Sequence, residues 1–302
     1  MTWRRKPAKP FLPKLAPCSQ QWEDVRMEFY LVLAVFGTLA GVTTVLFGFG
    51  GGFVVVPVLY RTLVHLHGAD SAVGQSAMQV AVATSTCVMI VGAGLATRRH
   101  HRAGNVDWAQ VRPLLVFIAV GAVAGAAAAS VLRSDWVRWA FVVYLALTIL
   151  DGLLRPGFIR PRVAQAQQAA RPRPSGPLTA LLGLVIGAVA AFLGVGGSVM
   201  TVPLMRRRGA PMVQATAAAN PLSLPVALAG TATYVLLAWD QPVPLGAWHA
   251  GFVDLRAFAV LVVGSWLGIR LGGRFVGRLP DGLHAKVYLA LLAVVLLAML
   301  MR

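Results

Sequence analysis

Uncharged apolar runs alternate with short polar or basic stretches along nearly the whole chain. A membrane-spanning helix needs about 20 predominantly apolar residues, and that ruler marks eight segments. The first four fall at 28–47 with a continuation to 64, then 72–97, 111–132 and 136–154; the second four at 178–193 with a continuation to 205, then 211–239, 252–271 and 284–301. The pattern predicts an all-α polytopic membrane protein built as two pseudo-symmetric four-segment repeats, 27–154 and 178–302. A tail at 1–26 precedes them, and a linker at 155–177 with five arginines and five prolines separates them.

Each repeat opens on a helix that its own sequence interrupts. Phe47 to Leu59 reads FGFGGGFVVVPVL, and Leu193 to Met205 reads LGVGGSVMTVPLM. A constant offset of 146 residues aligns Gly48 with Gly194, Gly50 with Gly196, Gly51 with Gly197 and Pro57 with Pro203. Glycine costs about 1 kcal/mol in a helix interior and proline about 3, so both clusters predict a break at membrane depth. Freed backbone groups are tolerated there only inside protein or beside a wet cavity. Paired interrupted segments in corresponding positions of two halves point to a transporter's binding site.

The repetition continues beyond the glycines. Val143-Tyr144-Leu145-Ala146-Leu147 recurs as Val287-Tyr288-Leu289-Ala290-Leu291, and Gly121 and Gly125 match Gly264 and Gly268, with Gly272 extending the second series. Small residues every fourth position let helices approach closely in lipid. They would serve a homo-oligomer seam or packing within one subunit.

The two glycine clusters, each followed by an apolar turn and a proline, resemble the sulfite exporter TauE/SafE family, within the 4-toluene sulfonate uptake permease superfamily, from about Met27 onward. The resemblance implies membrane transport of small sulfur-containing or organic anions, with a bacterial inner (plasma) membrane location. Its usual threonine-serine pair is kept as Thr84-Ser85, whereas the second half carries Asn220-Pro221 instead.

Composition adds to this picture without redirecting it. Apolar residues make up 58% of the chain and charged ones 12%, with a mean hydropathy of +0.72. The net charge of +17 lies in tails and short loops, which points to lipid head groups rather than nucleic acid as the partner. Lys and Arg counts predict that both ends of the first half lie inside, with residues 1–26 as a cytoplasmic tail. The second half disagrees: Arg206, Arg207 and Arg208 would fall outside, while the 240–251 loop, predicted inside, has no Lys or Arg.

Chemistry-bearing side chains are sparse. No paired carboxylates, nucleophile or metal cluster falls inside a span, so no enzyme, cofactor or metal is expected. Asp151 and Asp254 sit at predicted helix ends as solvated charges, and His65, His67, His100 and His101 are expected in interfacial loops. What remains is backbone. Helices restarting after each glycine cluster present unpaired N–H groups and a positive dipole end, an anion site that needs no lysine. The candidate substrate-binding set is therefore Gly48, Gly50, Gly51, Gly52, Pro57, Thr84, Ser85, Gly194, Gly196, Gly197, Ser198, Pro203, Asn220 and Pro221. For Ser85 and Asn220 an interhelical hydrogen bond is an equal alternative. An anion carrier, an anion-selective channel and a non-transporting scaffold all fit this pattern.

Overall fold

The computed structural model describes residues 18–154, 158, 176–207, 210–239 and 248–301. Most of the tail and of the 155–177 linker lies outside them. The first half comprises α1 (Cys18–Phe47), α2 (Gly52–His67), a short α3 (Ala72–Gln75), α4 (Ala77–Arg102), α5 (Trp108–Val131) and α6 (Ser134–Leu154). The second comprises α7 (Pro177–Leu193), α8 (Ser198–Arg207), α9 (Met212–Leu237), α10 (Leu255–Gly272) and α11 (Asp281–Leu300). Among the described residues the only sheet is a two-residue ladder, β1 (His249–Ala250) against β2 (Val253–Asp254).

Among the described residues seven helices are long and apolar enough to cross a membrane: α4, α5, α6, α9, α11, the 29–47 part of α1 and α10 with its terminal turn. At 17 residues α7 falls just short of that length. Leu31, Val35, Val116, Val120, Leu147, Leu150, Val294 and Leu297 are exposed; in lipid they are the outer face of the bundle. Exposed Trp136, Trp139, Trp239 and Trp266 suit the amphipathic interface layer. Pro221 and Pro225 both lie inside α9, which nevertheless runs unbroken from Met212 to Leu237.

Helices of the two halves pack on each other more than on their own. The main partner of α1 is α10, and that of α7 is α5, a reciprocal exchange between first and third helices. Glycine makes both contacts possible. A Cβ on Gly41 or Gly268 would fall onto the Ser265 or Thr38 carbonyl, and one on Gly121, Gly125 or Gly187 onto those of Leu184, Ala188 and Ile118. The small-residue series therefore serves close backbone approach inside this chain, with each seam formed between the halves.

The interrupted segments turn back on themselves instead of continuing. The end of α1 lies beside the end of α4, where His100 meets Val45, and beside the start of α11, where His284 meets Leu46. Yet Gly50 and Gly52 stand next to Met89 and Ser85, nearer the middle of α4. From there α2 runs to the opposite end of the bundle, where Arg61 donates to the Ala298 and Met301 carbonyls. The second half mirrors this: α8 starts beside Met89 and Ser223 and ends where Arg206 meets Asp281 at the start of α11. The half-helices α2 and α8 thus start at the centre and diverge toward opposite ends.

That geometry corrects the expected sidedness. Arg138 on α6 bonds the Met299 carbonyl and Gly152 packs on Leu289, so α6 is antiparallel to α11 and ends level with the end of α1. The two ends of the first half are on opposite faces, not both on one. The 98–112 loop, the end of α8 and the 273–280 turn then share a face. Arg206 is itself 1% exposed and paired, so it is not a loop charge.

Candidate functional site

The glycines end α1 and α7 in the same way. Gly48 has φ 76 and Gly194 φ 66, the left-handed cap that glycine adopts without a Cβ penalty. Gly194 N–H returns to the Ala191 carbonyl and Val195 N–H to that of Ala190, while Gly48 N–H returns to Thr44. Beyond this point the breaks differ. Gly50 and Gly51 also have positive φ, 67 and 91, whereas Gly196 and Gly197 do not.

The two breaks meet. A Cβ on Gly52 would strike the Gly194 carbonyl oxygen and lie 2.6 Å from Ser85 Oγ. Ser85 Oγ already donates to that oxygen at 2.8 Å. A Cβ on Gly50 would lie 3.5 Å from the Gly196 Cα and 2.6 Å from Met89 Sδ, and one on Gly196 3.1 Å from the same sulfur and 2.5 Å from Ser223 Oγ. Met89 is therefore the side chain wedged between the breaks.

Not every candidate reaches this junction. Gly51 faces Thr44, and Gly197 faces Ile186 on α7. Thr84 turns away and accepts the Asp254 N–H at 2.9 Å. Asp254 in turn caps α10 by accepting from Arg256 and Ala257, so its charge is spent on a helix end, as expected. Pro57 is buried within α2, and Pro203 lines a separate groove. Pro221 removes the N–H that would have paired with the Ala217 carbonyl, inside the buried part of α9. Asn220 shares a helical face with Thr216, which packs on Gly48, and with Ser223 at Gly196. Its Nδ2 donates to Thr216 while its Oδ1 has no partner among the described residues.

Further unspent polar atoms surround the start of α8. Ser198 Oγ and Thr201 Oγ1, three residues apart on one face, are fully buried without a partner among the described residues, as is Ser265 Oγ, which lies across Gly92 from the Gly50 carbonyl. Ser265, Met89, Ser223 and Thr201 are absent from the sequence-derived set. A serine or methionine inside an apolar run carries no signal until the helices are packed.

The surroundings of the breaks are unequal. Phe49 stacks on Phe53 at 4.4 Å and lies 4.9 Å from Tyr288. In the second half the equivalent of Phe53 is Val199, and the equivalent of Tyr288 is Tyr144. Those two line an open groove of about 320 Å³ with Pro203, Asp151 and Leu182. Replacing phenylalanine by valine leaves the space that the aromatic cluster fills on the other side.

None of the four histidines expected in loops is in one: His65 and His67 end α2, His100 is buried in the last turns of α4, and His101 beside it accepts a bond from Trp108 Nε1. Among the described residues no three metal-ligating side chains gather.

The sulfite exporter TauE/SafE family profile matches residues 33–299. A probable membrane transporter protein of Haemophilus influenzae is 26% identical over 278 residues, covering 91% of this chain and 99% of the relative. Probable membrane transporter proteins of Bacillus subtilis and Methanocaldococcus jannaschii are 23% and 20% identical, covering 80% and 82% of this chain and 87% and 89% of each relative. No solved structure matches the chain. With two interrupted half-helices meeting inside a bundle of apolar helices, and a family profile spanning nearly its whole length, this chain belongs to the sulfite exporter TauE/SafE family of membrane transporters.

Proposed function

We propose that the chain is a secondary transporter in the bacterial inner (plasma) membrane that exports small anions such as sulfite or organosulfonates, bound where α2 and α8 begin. The observation that carries this reading is the convergence of two half-helix starts at one buried point. Each helix start carries about half a positive charge, so the pair offers roughly one unit to an anion without any cationic side chain. Its backbone N–H groups are the donors. Ser198, Thr201, Ser265 and Ser85 supply hydroxyls around it, and the first three have no hydrogen-bond partner among the described residues.

The opposite directions of α2 and α8 also suit alternating access. Each half-helix leads from the junction to one end of the bundle. Tilting α2 about its glycines would open the junction to one face, and tilting α8 to the other. Met89 between Gly50 and Gly196 must move in either case.

The test is flux of radiolabelled sulfite into proteoliposomes. Saturable uptake with counterflow is the expected result. A non-saturating conductance would make the protein a channel, and no flux of sulfite, thiosulfate or sulfonates would leave it a scaffold.

A further inference from the structure

The last carbonyls of α1 have no helical N–H to accept, because the chain turns away at Gly48. Two of them are met by imidazoles from two different helices. His100 Nε2 on α4 lies 2.8 Å from the Val45 oxygen, and His284 Nε2 in the first turn of α11 lies 2.8 Å from the Leu46 oxygen. A carbonyl oxygen only accepts, so both Nε2 atoms carry the hydrogen and each neutral ring keeps a bare lone pair on Nδ1. The histidines are 1% and 3% exposed, and neither Nδ1 has a partner among the described residues. Both rings border one narrow crevice with Leu46, Val213, Thr216 and the 275–279 turn.

Unsatisfied buried acceptors are rare in native structures and call for an explanation. We propose that His100 and His284 form a proton-binding site that couples proton movement to transport through the first break. This rests on the transporter reading and names its coupling ion. A proton taken up on Nδ1 makes an imidazolium that carries hydrogen on both nitrogens while Nε2 keeps its carbonyl. It then sits against the negative end of the α1 dipole, where a cation is favoured. The carbonyls it holds are two to three residues before Gly48, so its charge acts directly on the segment leading to α2.

The charged groups facing the pair come from three elements. Arg99 on α4 is beside His100, and Asp281 on α11 and Arg206 on α8 are beside His284. Arg206 is already held by Asp281 and by the Phe158 and Ala210 carbonyls. From α1 come carbonyls, and from α9 the uncharged Val213 and Thr216. Ionisable residues that face the interior of a membrane protein mark ion and proton paths, and this pair is buried at the end of the bundle where α1 and α4 finish and α11 starts.

The variant H65Q/H67Q/H101Q/H249Q leaves only this pair of histidines. Prepared as the full chain on a tag without histidine, with EDTA and with ¹⁵N-histidine, it is titrated by NMR from about pH 8 to pH 4. Both rings should begin as Nε2–H tautomers, and at least one should gain a proton on Nδ1. If both stay neutral throughout, the proposal is overturned while the transporter reading stands. In proteoliposomes enclosing a pH dye, wild type should move protons with a sulfite gradient. H100Q and H284Q, which keep an N–H for the carbonyl, should lower the ratio of protons to sulfite at least tenfold. An unchanged ratio in both also overturns it. Absence of flux of sulfite, thiosulfate and sulfonates in wild type refutes the transporter reading and the coupling with it, and the NMR titration then decides only whether the pair binds a proton.

Discussion

Ser85 Oγ donates a 2.8 Å hydrogen bond to the Gly194 carbonyl, 109 residues away. A helix of the first half thereby holds the break of the second, and the backbone of α2 closes over the same oxygen at Gly52. Ser85→Ala should cost about 0.6 kcal/mol, the average for interhelical hydrogen bonds in membranes, and no more than their maximum of about 1.7, and reduce sulfite flux without abolishing it. Gly52→Ala should abolish flux at matched membrane abundance, because its Cβ meets a carbonyl oxygen that cannot swing away. Flux equal in the two variants would contradict this ordering.

The aligned glycines at the breaks are predicted to respond unequally. Gly51 has φ 91 with only Thr44 Oγ1 nearby, at 3.5 Å from its would-be Cβ, so alanine there is strained by conformation alone. The left-handed region costs a non-glycine residue roughly 1–2 kcal/mol. Gly197 has no positive φ, and its nearest neighbour is Ile186 Cγ2 at 3.1 Å, the end of a side chain. Gly51→Ala should therefore lose most flux and Gly197→Ala keep most of it, which departs from the equivalence that the 146-residue offset implies.

Seam glycines supply a second contrast. Gly121→Ala and Gly268→Ala place a Cβ against the Leu184 and Thr38 carbonyls, and overpacking of this kind typically costs about 1–3 kcal/mol. Gly94 is also helical but open, with Leu224 Cδ2 the nearest atom at 3.8 Å. Gly94→Ala should be neutral or stabilising by up to about 1 kcal/mol. Thermal midpoints in detergent check the signs: the two seam variants should fall and Gly94→Ala should not.

How much of this was legible in the sequence follows from what each signal measures. Apolar run length marks the long helices, because a bilayer sets that length independently of packing. The breaks are legible because glycine and proline act on the backbone at their own positions. The direction of α2 is not, since an apolar segment after a break has the same composition whether it continues or turns back. Thr84 and Ser85 are adjacent in sequence, but only helix rotation decides that one faces Asp254 and the other Gly194. His100 stands beside arginines at a helix end and looks interfacial. Its partner is a backbone carbonyl 55 residues away, and backbone groups leave no trace in a sequence.

The buried pair between Arg206 and Asp281 gives a stability prediction. Arg206 Nη1 lies 2.8 Å from Asp281 Oδ2, with the arginine side chain 0% and the aspartate side chain 33% exposed. Removing one partner of a buried pair costs about 3–5 kcal/mol, and partial exposure of Asp281 puts this one near the lower figure. Asp281→Ala also removes the acceptor of the Met212 N–H. Asp281→Ala should therefore lower the thermal midpoint strongly, and R206M/D281A should recover part of the loss. A double variant worse than the single would mean that Arg206 is satisfied by the Phe158 and Ala210 carbonyls without its carboxylate.

Sidedness is the remaining prediction, and it follows from helix direction. Helices α1, α4 and α10 run parallel: Gly41 meets Ser265, Gly272 meets Val42, and Arg99 meets Gly273. The end of α8 joins theirs through Arg206 and Asp281. Arg98, Arg99, Arg102, Arg112, Arg274 and Arg278 then belong to one face. The loop at 68–71 and the end of α11 belong to the other, which Arg61 ties together. Basic loops are retained in the cytoplasm, so the arginine-rich face is expected there, and the start of α1 at the opposite face. Single cysteines at Gly104 and Gly277 should be labelled by a membrane-impermeant maleimide only after inner-membrane vesicles are inverted, and one at Gly68 only from the outside of intact cells. Among the described residues no atom lies within 4 Å of a Cβ at Gly68, Gly104 or Gly277, and their φ values of 79, 71 and 76 cost a cysteine roughly 1–2 kcal/mol in exposed turns outside the helices. Labelling of Gly104 and Gly277 from opposite sides would break the parallel arrangement of α4 and α10 and with it the inverted placement of α2 and α8.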